Sequence, residues 1–464
     1  MATDPQPSIH DTSPWYRGIT GYQWSVLAIA CLGWVFDCFE GQIFVASMNE
    51  AMPSLLPAGT PAEAVDYYNK IAFGAFLAGG ALGGVAFGRI ADRVGRKKAM
   101  TWTILFYSLF TCVSAVSRTW WQLAAFRFLV AIGVGGEWAV ASALVAEVFP
   151  SRARAWSLAI FHASSVLGTF LAVAAGAFLI GNDGLGLSVD ARWRTGFALG
   201  ALPALLILWI RRSLKESEVW ERSRAKDGPA GEGNSDGLRR LFGPRLLRHT
   251  LVGVGLAAVG LATFWGVHVY GKDRLKQAVE PGIRAEAAAV LLPGDETRRE
   301  DIDAAIKARL KRWEMLGMFL VTIGGGLGLV AFGPLCERLG RRGAFLLFYL
   351  GGLISALALF RAIDSVGAIL VFLPVFGFLT LGMHAGYAVY FPELYPTDLR
   401  STGAGFCFNM ARALAGPILI LAGWMQRQGA YSLSDTCSLL SLLFLAGVVL
   451  LGFAPETKGR ELPA

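Results

Sequence analysis

The chain has 464 residues, of which 54% are hydrophobic and only 16% charged. A soluble chain carries about a quarter charged residues, so this composition excludes an ordinary water-soluble globule and points to lipid as the solvent. The net charge of +8 would suit nucleic acid or anionic lipid, but the basic residues cluster in alternate loops, as orientation signals do, which argues against nucleic acid.

A helix that crosses a bilayer needs about 20 mostly apolar residues. In chain order, such runs are predicted near 22–46, 69–91, 98–117, 120–147, 156–180, 194–211, 249–270, 313–335, 343–361, 366–391, 401–425 and 434–454. The stretch from Met1 to Pro14 is polar and the first apolar run is a full span, so no cleavable leader is expected. GRIADRVGRKK at 88–98, SRAR at 151–154, the stretch from Arg211 to Arg248 and ERLGRR at 337–342 all fall on one side. That side is read as cytoplasmic, with both termini. On the other side, Lys272 to Arg312 is read as a long outer loop of mixed charge, with an amphipathic helix over Arg299–Arg312. The six cysteines lie in or beside apolar runs without paired spacing, so free thiols are expected, and neither disulfides nor metal ligands.

The chain repeats itself. Gly79, Gly80, Gly83 and Gly88 recur as Gly324, Gly325, Gly328 and Gly333, a shift of 245. The same shift carries Asp92, Arg93, Gly95 and Arg96 onto Glu337, Arg338, Gly340 and Arg341. EVFPSRAR at 147–154 matches ELYPTDLR at 393–400, which sets Glu147 on Glu393 and Arg154 on Arg400. The expected organisation is an N-terminal half over 1–211, a linker over 212–248 and a C-terminal half over 249–464.

Two parallel six-helix halves with substrate between them is the plan of the major facilitator transporters. GRIADRVGRKK resembles that family's loop between the second and third helices, and ERLGRR its weaker copy between the eighth and ninth. The resemblance implies an all-α membrane protein of twelve transmembrane helices. It also implies a cytoplasmic gate made by Asp92, Arg93, Arg96, Glu147 and Arg154, in which the loop acid faces a helix end of the other half and the arginines pair with acids. The alternative for these charges is that they only orient the chain. Glycines four apart would let helices approach and slide.

Ionisable side chains inside spans cost at least ~2.5 kcal/mol, so those that remain are functional candidates. Asp37 and Glu40 stand three apart in GWVFDCFEGQIF, on one face of the first helix, where they can share protons or partners. Glu137 lies in the fourth run and Arg412 in the eleventh, and none of the four has a counterpart at the repeat shift. Arg412 offers a planar, always charged fork for a carboxylate, and Asn409, one turn earlier, could assist. Alternatively Arg412 is only the counter-ion of Asp37, Glu40 or Glu137. Asp37, Glu40 and Glu137 are the candidate proton carriers. Arg127 opens a stretch resembling the family's fourth-helix motif, with Ala131 where the first glycine is usual, and a structural role is favoured for it. His162 and His384 read as interhelical hydrogen-bonding residues. Trp265, Tyr270, Tyr387 and Tyr390 could line the cavity or sit in the interfacial belt. Of these, Trp265 and Tyr387 are taken as substrate-binding candidates.

GVGGEWAVASALVAEVFPSRAR with YFPELYPTDLRSTGAGFCFNMAR resembles the carboxylate and sialate proton symporters, near the aromatic-acid and organic-ion carriers. In that comparison Asp37 and Glu40 match paired acids of the first helix, and Arg412 matches the eleventh-helix arginine of organic-anion carriers. The implied function is proton-coupled movement of a small organic anion by a single chain in the cell membrane, without cofactor. PETKGREL at 455–462 resembles the sugar-porter ending instead. A sugar or polyol symporter is therefore the alternative, although the run at 249–270 contains no Asn or Gln to bind hydroxyls. A transporter-like sensor is a third reading. No nucleotide loop, metal cluster or nucleophile motif marks an enzyme.

Overall fold

The computed structural model describes residues 14–180, 186–227, 237–289, 296–427 and 431–463. Among them every regular element is helical. In chain order the α-helices are α1 (Gly21–Leu55), α2 (Ala62–Val94), α3 (Arg96–Ser114), α4 (Trp120–Val148), α5 (Ser151–Ala163), α6 (Ser165–Ala175), α7 (Val189–Ala198), α8 (Leu206–Ser213), α9 (Glu218–Asp227) and α10 (Gly237–Leu241). Then follow α11 (Leu247–Gly266), α12 (Gly271–Ala288), α13 (Glu296–Leu357), α14 (Val366–Leu381), α15 (Met383–Leu394), α16 (Arg400–Arg427), α17 (Leu433–Ser441) and α18 (Leu443–Leu451). Among the described residues nine helical stretches are long and apolar enough to cross a membrane. In hydrocarbon every backbone group has to be satisfied within the protein, which a helix does by its own bonding, so helices suit these long apolar runs.

The runs expected near 98–117 and 401–425 are α3 and α16. Those at 313–335 and 343–361 belong to one 62-residue element that is broken at Gly340, where φ is +81°. Gly95 makes the equivalent break between α2 and α3, with φ +102°. Both positions need glycine, because this backbone conformation crowds a β-carbon.

The repeated glycines set how closely the helices pack. A β-carbon on Gly79 or Gly83 of α2 would lie 2.1 or 2.0 Å from the Phe128 or Ile132 carbonyl oxygen of α4. On Gly324 or Gly328 of α13 it would lie 1.9 or 2.3 Å from the Pro374 or Phe378 oxygen of α14. Backbone therefore touches backbone in both places. Gly88 packs in the same way on Ser401 at the start of α16, and Gly333 on Ala155 and Trp156 of α5. These last two contacts join N-terminal to C-terminal elements.

One expectation is corrected. The region from Lys272 to Arg312, expected as a loop, is largely helical: α12 covers its first half, and the amphipathic helix expected at its end is the beginning of α13. Residues 290–295, between them, lie outside the described residues, as do 228–236 of the expected linker. Leu275, Val279 and Ile283 recur every four residues on α12 and cluster with Ile306 and Leu310 of α13, which explains why this charged stretch folds. Lys272 pairs with Glu314 at 2.6 Å and Arg309 with Glu286 at 2.8 Å across the hairpin.

Gly83→Val should lower the thermal stability of the detergent-purified protein. Overpacking costs about 1–3 kcal/mol even where side chains can yield, and here the obstacle is backbone. A melting curve matching wild type would contradict the close α2–α4 contact.

Candidate functional site

The basic turn after α2 is built into a buried network. Asp92 accepts hydrogen bonds from the backbone N–H groups of Ser401 (3.1 Å) and Thr402 (2.8 Å) and from the Thr402 hydroxyl (2.6 Å). Its carboxylate thus caps the N-terminus of α16, where unsatisfied N–H groups and the helix dipole favour negative charge. Arg96 binds Asp92 at 3.0 Å and grips both oxygens of Glu147, at 3.2 and 2.8 Å. Arg400 reaches the same Glu147 at 2.7 Å, so one carboxylate of α4 is shared by arginines from α3 and α16. Arg96 also donates to the Thr397 carbonyl at 2.7 Å. Arg154 donates to the Ala146 carbonyl at 3.0 Å, and Glu393 and Glu461 are its nearest acids. Arg93 lies on the exposed surface beside them, and its carbonyl accepts from Arg224. Of the five residues expected at the gate, the structure brings Asp92, Arg96 and Glu147 into direct contact.

The second basic turn carries a similar set. Arg341 grips Glu393 at 2.9 and 2.7 Å and Glu337 at 3.1 Å. Two acids not singled out from sequence complete both turns. Glu216 accepts from the Arg96 and Lys97 N–H groups at 2.5 and 3.1 Å. Glu456 accepts from those of Arg341 and Arg342 at 2.9 and 3.1 Å. Each caps a helix that starts after a positive-φ glycine and has no capping side chain of its own. Their sequence signal was the shared position just beyond the last apolar run of each half. Burial works against the Glu456 carboxylate, but backbone N–H groups of Arg341, Lys458, Arg342 and Thr457 hold it below its ordinary value. A carboxylate depressed in this way stabilises the fold above its unfolded value, and that contribution is lost as pH falls through the folded one.

The segment Pro455–Pro463 lies across this face. Tyr390 donates to the Pro455 carbonyl at 2.6 Å, Thr457 to Glu393 at 2.5 Å, and Arg400 to the Pro463 carbonyl at 2.6 Å. The tail therefore holds the same arginine that binds Glu147 of α4.

The centre of the protein gathers the charges that have no repeat counterpart. Asp37 and Glu40, expected to share partners, do not. Glu40 accepts from Thr111 at 2.8 Å and lies 3.7 Å from Arg127, which in turn donates to Ser114 at 2.6 Å and sits 4.5 Å over the Phe197 ring. Asp37 instead interacts with Glu137 of α4, whose carboxyl lies against Gly33 one turn away on α1, and with the charge of Arg412 of α16. One turn of difference on α1 directs the two acids to different neighbours.

Arg412 is half-buried and lies 4.7 Å over Phe408, which stacks on Trp138 at 4.0 Å. Among the described residues its hydrogen-bond partner is Asn409 Oδ1 at 3.3 Å. Asn409 is buried between the two sets of helices: its amide donates to the Gly405 carbonyl at 2.9 Å and to the Gly135 carbonyl of α4 at 3.3 Å. It holds Arg412 rather than facing open space. Phe408 and Trp138 were not anticipated as parts of the site, because aromatic residues inside apolar runs look like any other core residue. Trp138 donates to His162 Nδ1 at 3.2 Å, which leaves the proton of the neutral ring on Nε2. His384 lies 3.3 Å from the Gly260 carbonyl. Tyr387 is fully buried and donates to the Leu256 carbonyl at 3.1 Å, while Trp265 is partly exposed, edge-on to Phe73 and Phe264. Tyr387 and Tyr390 are thus interior residues and not part of an interfacial belt. All six cysteines are free.

With this geometry in place, residues 41–420 match the family model described as Major Facilitator Superfamily. The chain is 28% identical over 451 residues to a probable 4-methylmuconolactone transporter of Cupriavidus pinatubonensis, covering 96% of this chain and 93% of that protein. It is 29% identical to the niacin transporter NiaP of Acinetobacter baylyi, covering 95% and 96%. Among solved structures it resembles the proton:xylose symporter XylE of E. coli bound to 6-bromo-6-deoxy-D-glucose. The TM-score is 0.73 at 18% identity, over 95% of this chain and 98% of that one, a likeness of fold.

Ser401 is fully buried under Gly88, so a Ser401→Cys reporter should react slowly with maleimide in lipid. Glu147→Gln breaks a buried pair, a change that costs about 3–5 kcal/mol, and should raise the labelling rate at least tenfold. Deleting residues 459–464 should raise it less. Equal rates in all three would show that the network does not hold this face shut.

Proposed function

Because the chain belongs to the Major Facilitator Superfamily, we propose that it moves a small organic anion across the cell membrane together with protons, by alternating access. Its relatives are transporters, and it is a multi-pass membrane protein that carries a small molecule. The finer reading takes it as twelve helices in two halves, 1–211 and 249–464, joined by the linker at 212–248. The break at Gly340, with α3 and α16 counted as spans, supports that count. Both termini and the basic turns would then be cytoplasmic, and a single chain would be the working unit.

The observation that carries the anion assignment is Arg412. It sits where α16 meets α2 and α4. Asn409 and Phe408 hold its guanidinium in place, and among the described residues no carboxylate lies within 4.0 Å of it. A guanidinium kept charged without an ion-pair partner presents two parallel N–H groups to a carboxylate. The names of the relatives, a niacin and a methylmuconolactone transporter, agree with small organic acids and their derivatives. The likeness to a xylose symporter is one of fold and does not favour a sugar.

The gate network supports alternating access. Asp92 and Arg96 bind α16 and the turn before it, and Arg400 binds α4, so the halves separate at this face only when those bonds break together. Trp265 lies nearer the opposite end, and its partly exposed ring is placed to contact a planar substrate.

In proteoliposomes with an inward proton gradient, wild type should accumulate labelled nicotinate, while Arg412→Ala should lose uptake at least tenfold and Arg412→Lys should recover only part of it. Accumulation of xylose unaffected by Arg412→Ala would overturn the anion reading in favour of a sugar carrier.

A further inference from the structure

We infer that Asp37 of α1 and Glu137 of α4 act as one proton-binding unit, two facing carboxyl groups that hold a single proton between them while the central site is empty. The inference deepens the anion-carrier reading and rests on it for its role in transport. Both side chains are buried, 2% and 0% exposed, and among the described residues none of their four oxygens has a hydrogen-bond donor. They lie within reach of each other all the same. A carboxylate accepts but cannot donate, so this contact becomes a hydrogen bond only when a proton sits between the two groups. In such a pair the proton belongs to both acids and to neither alone.

The backbone is built for this contact. A β-carbon on Gly33, one turn before Asp37, would lie 2.3 Å from Glu137 Oε1. Only glycine there lets the Glu137 carboxyl settle against α1. Tyr107 of α3 adds an independent sign: its hydroxyl is fully buried, among the described residues it has no hydrogen-bond partner, and Asp37, Glu137 and Glu40 are the charges that act on it.

The other titratable groups around the pair are Arg412 on α16, Cys31, Cys38 and Glu40 on α1, Tyr107 on α3, and His162 on α5 beside Arg412. Glu40 is already matched by Arg127 and Thr111. Two acids and one arginine therefore remain, and a single shared proton brings their charge to zero. Unbalanced charge at this depth is costly. When a substrate carboxylate takes Arg412, a second proton on the pair restores neutrality, so each monovalent anion should cross with one proton and no net charge.

The test is infrared difference spectroscopy of the intact protein in lipid nanodiscs without substrate, which reads the C=O stretch of protonated carboxyl groups directly. Wild type at neutral pH should show such a band. Asp37→Asn and Glu137→Gln should each abolish it, because the amide left behind donates to the remaining carboxylate and no proton is needed. The double variant should look the same as either single one. Gly33→Ala, which keeps both acids but crowds Glu137, should shift or remove the band, and a folded elution profile for any one of these variants suffices for the reading. The inference is overturned if the two single variants each remove a separate part of the signal, if only Glu40→Gln removes it, or if the band responds to replacing sodium by potassium. A wild type with the expected band that accumulates no nicotinate would leave the shared proton standing and remove the carrier reading instead.

Discussion

A charge held in hydrocarbon has to be matched nearby, and the arrangement of this protein follows from how its buried charges are matched. At the basic face the matching is complete and crosses from one set of helices to the other. Asp92 is satisfied by the N-terminus of α16, and Glu147 by two arginines from different helices. Such contacts are geometrically demanding, and breaking any one strands a partner in a site with little water. The contacts of this face therefore depend on one another. The tail joins it through Arg400, which ties Pro463 to the same carboxylate that Arg96 holds.

At the centre the matching is incomplete. Glu40 and Arg127 form a pair within the N-terminal elements, but among the described residues Arg412 has no ion-pair partner and Asp37 faces another acid. A structural network has no reason to leave a guanidinium and two carboxyls in this condition. A carrier does, since its cargo has to complete the site temporarily. Helix packing through glycine sets the frame around this site: α2 rests on α4 and α13 on α14 by backbone contact, while Gly88 and Gly333 make the close contacts between N-terminal and C-terminal elements.

Much of this was readable from the residues. Apolar run length located the helices, the shift of 245 paired the glycines that make equivalent contacts, and the cost of buried charge singled out Asp37, Glu40, Glu137 and Arg412. Three things were not readable, each for a physical reason. Asp37 and Glu40 share a face by helical spacing, but 60° of rotation on α1 was enough to send one to α4 and α16 and the other to Arg127 and Thr111. The stretch from Lys272 to Arg312 looked like a loop because its charges hid a four-residue apolar stripe on α12. Glu216 and Glu456 act on backbone N–H groups far along the chain, so their shared position beyond the last apolar run of each half did not show which helix each one caps.

The central claim is that Arg412 is kept unpaired for an anion. A structure of the protein with nicotinate bound tests it most directly. The account predicts the carboxylate on the Arg412 guanidinium between α1, α4 and α16, with Asn409 and Phe408 unmoved behind it. Nicotinate bound elsewhere, with the Arg412 guanidinium free of its carboxylate, would contradict it.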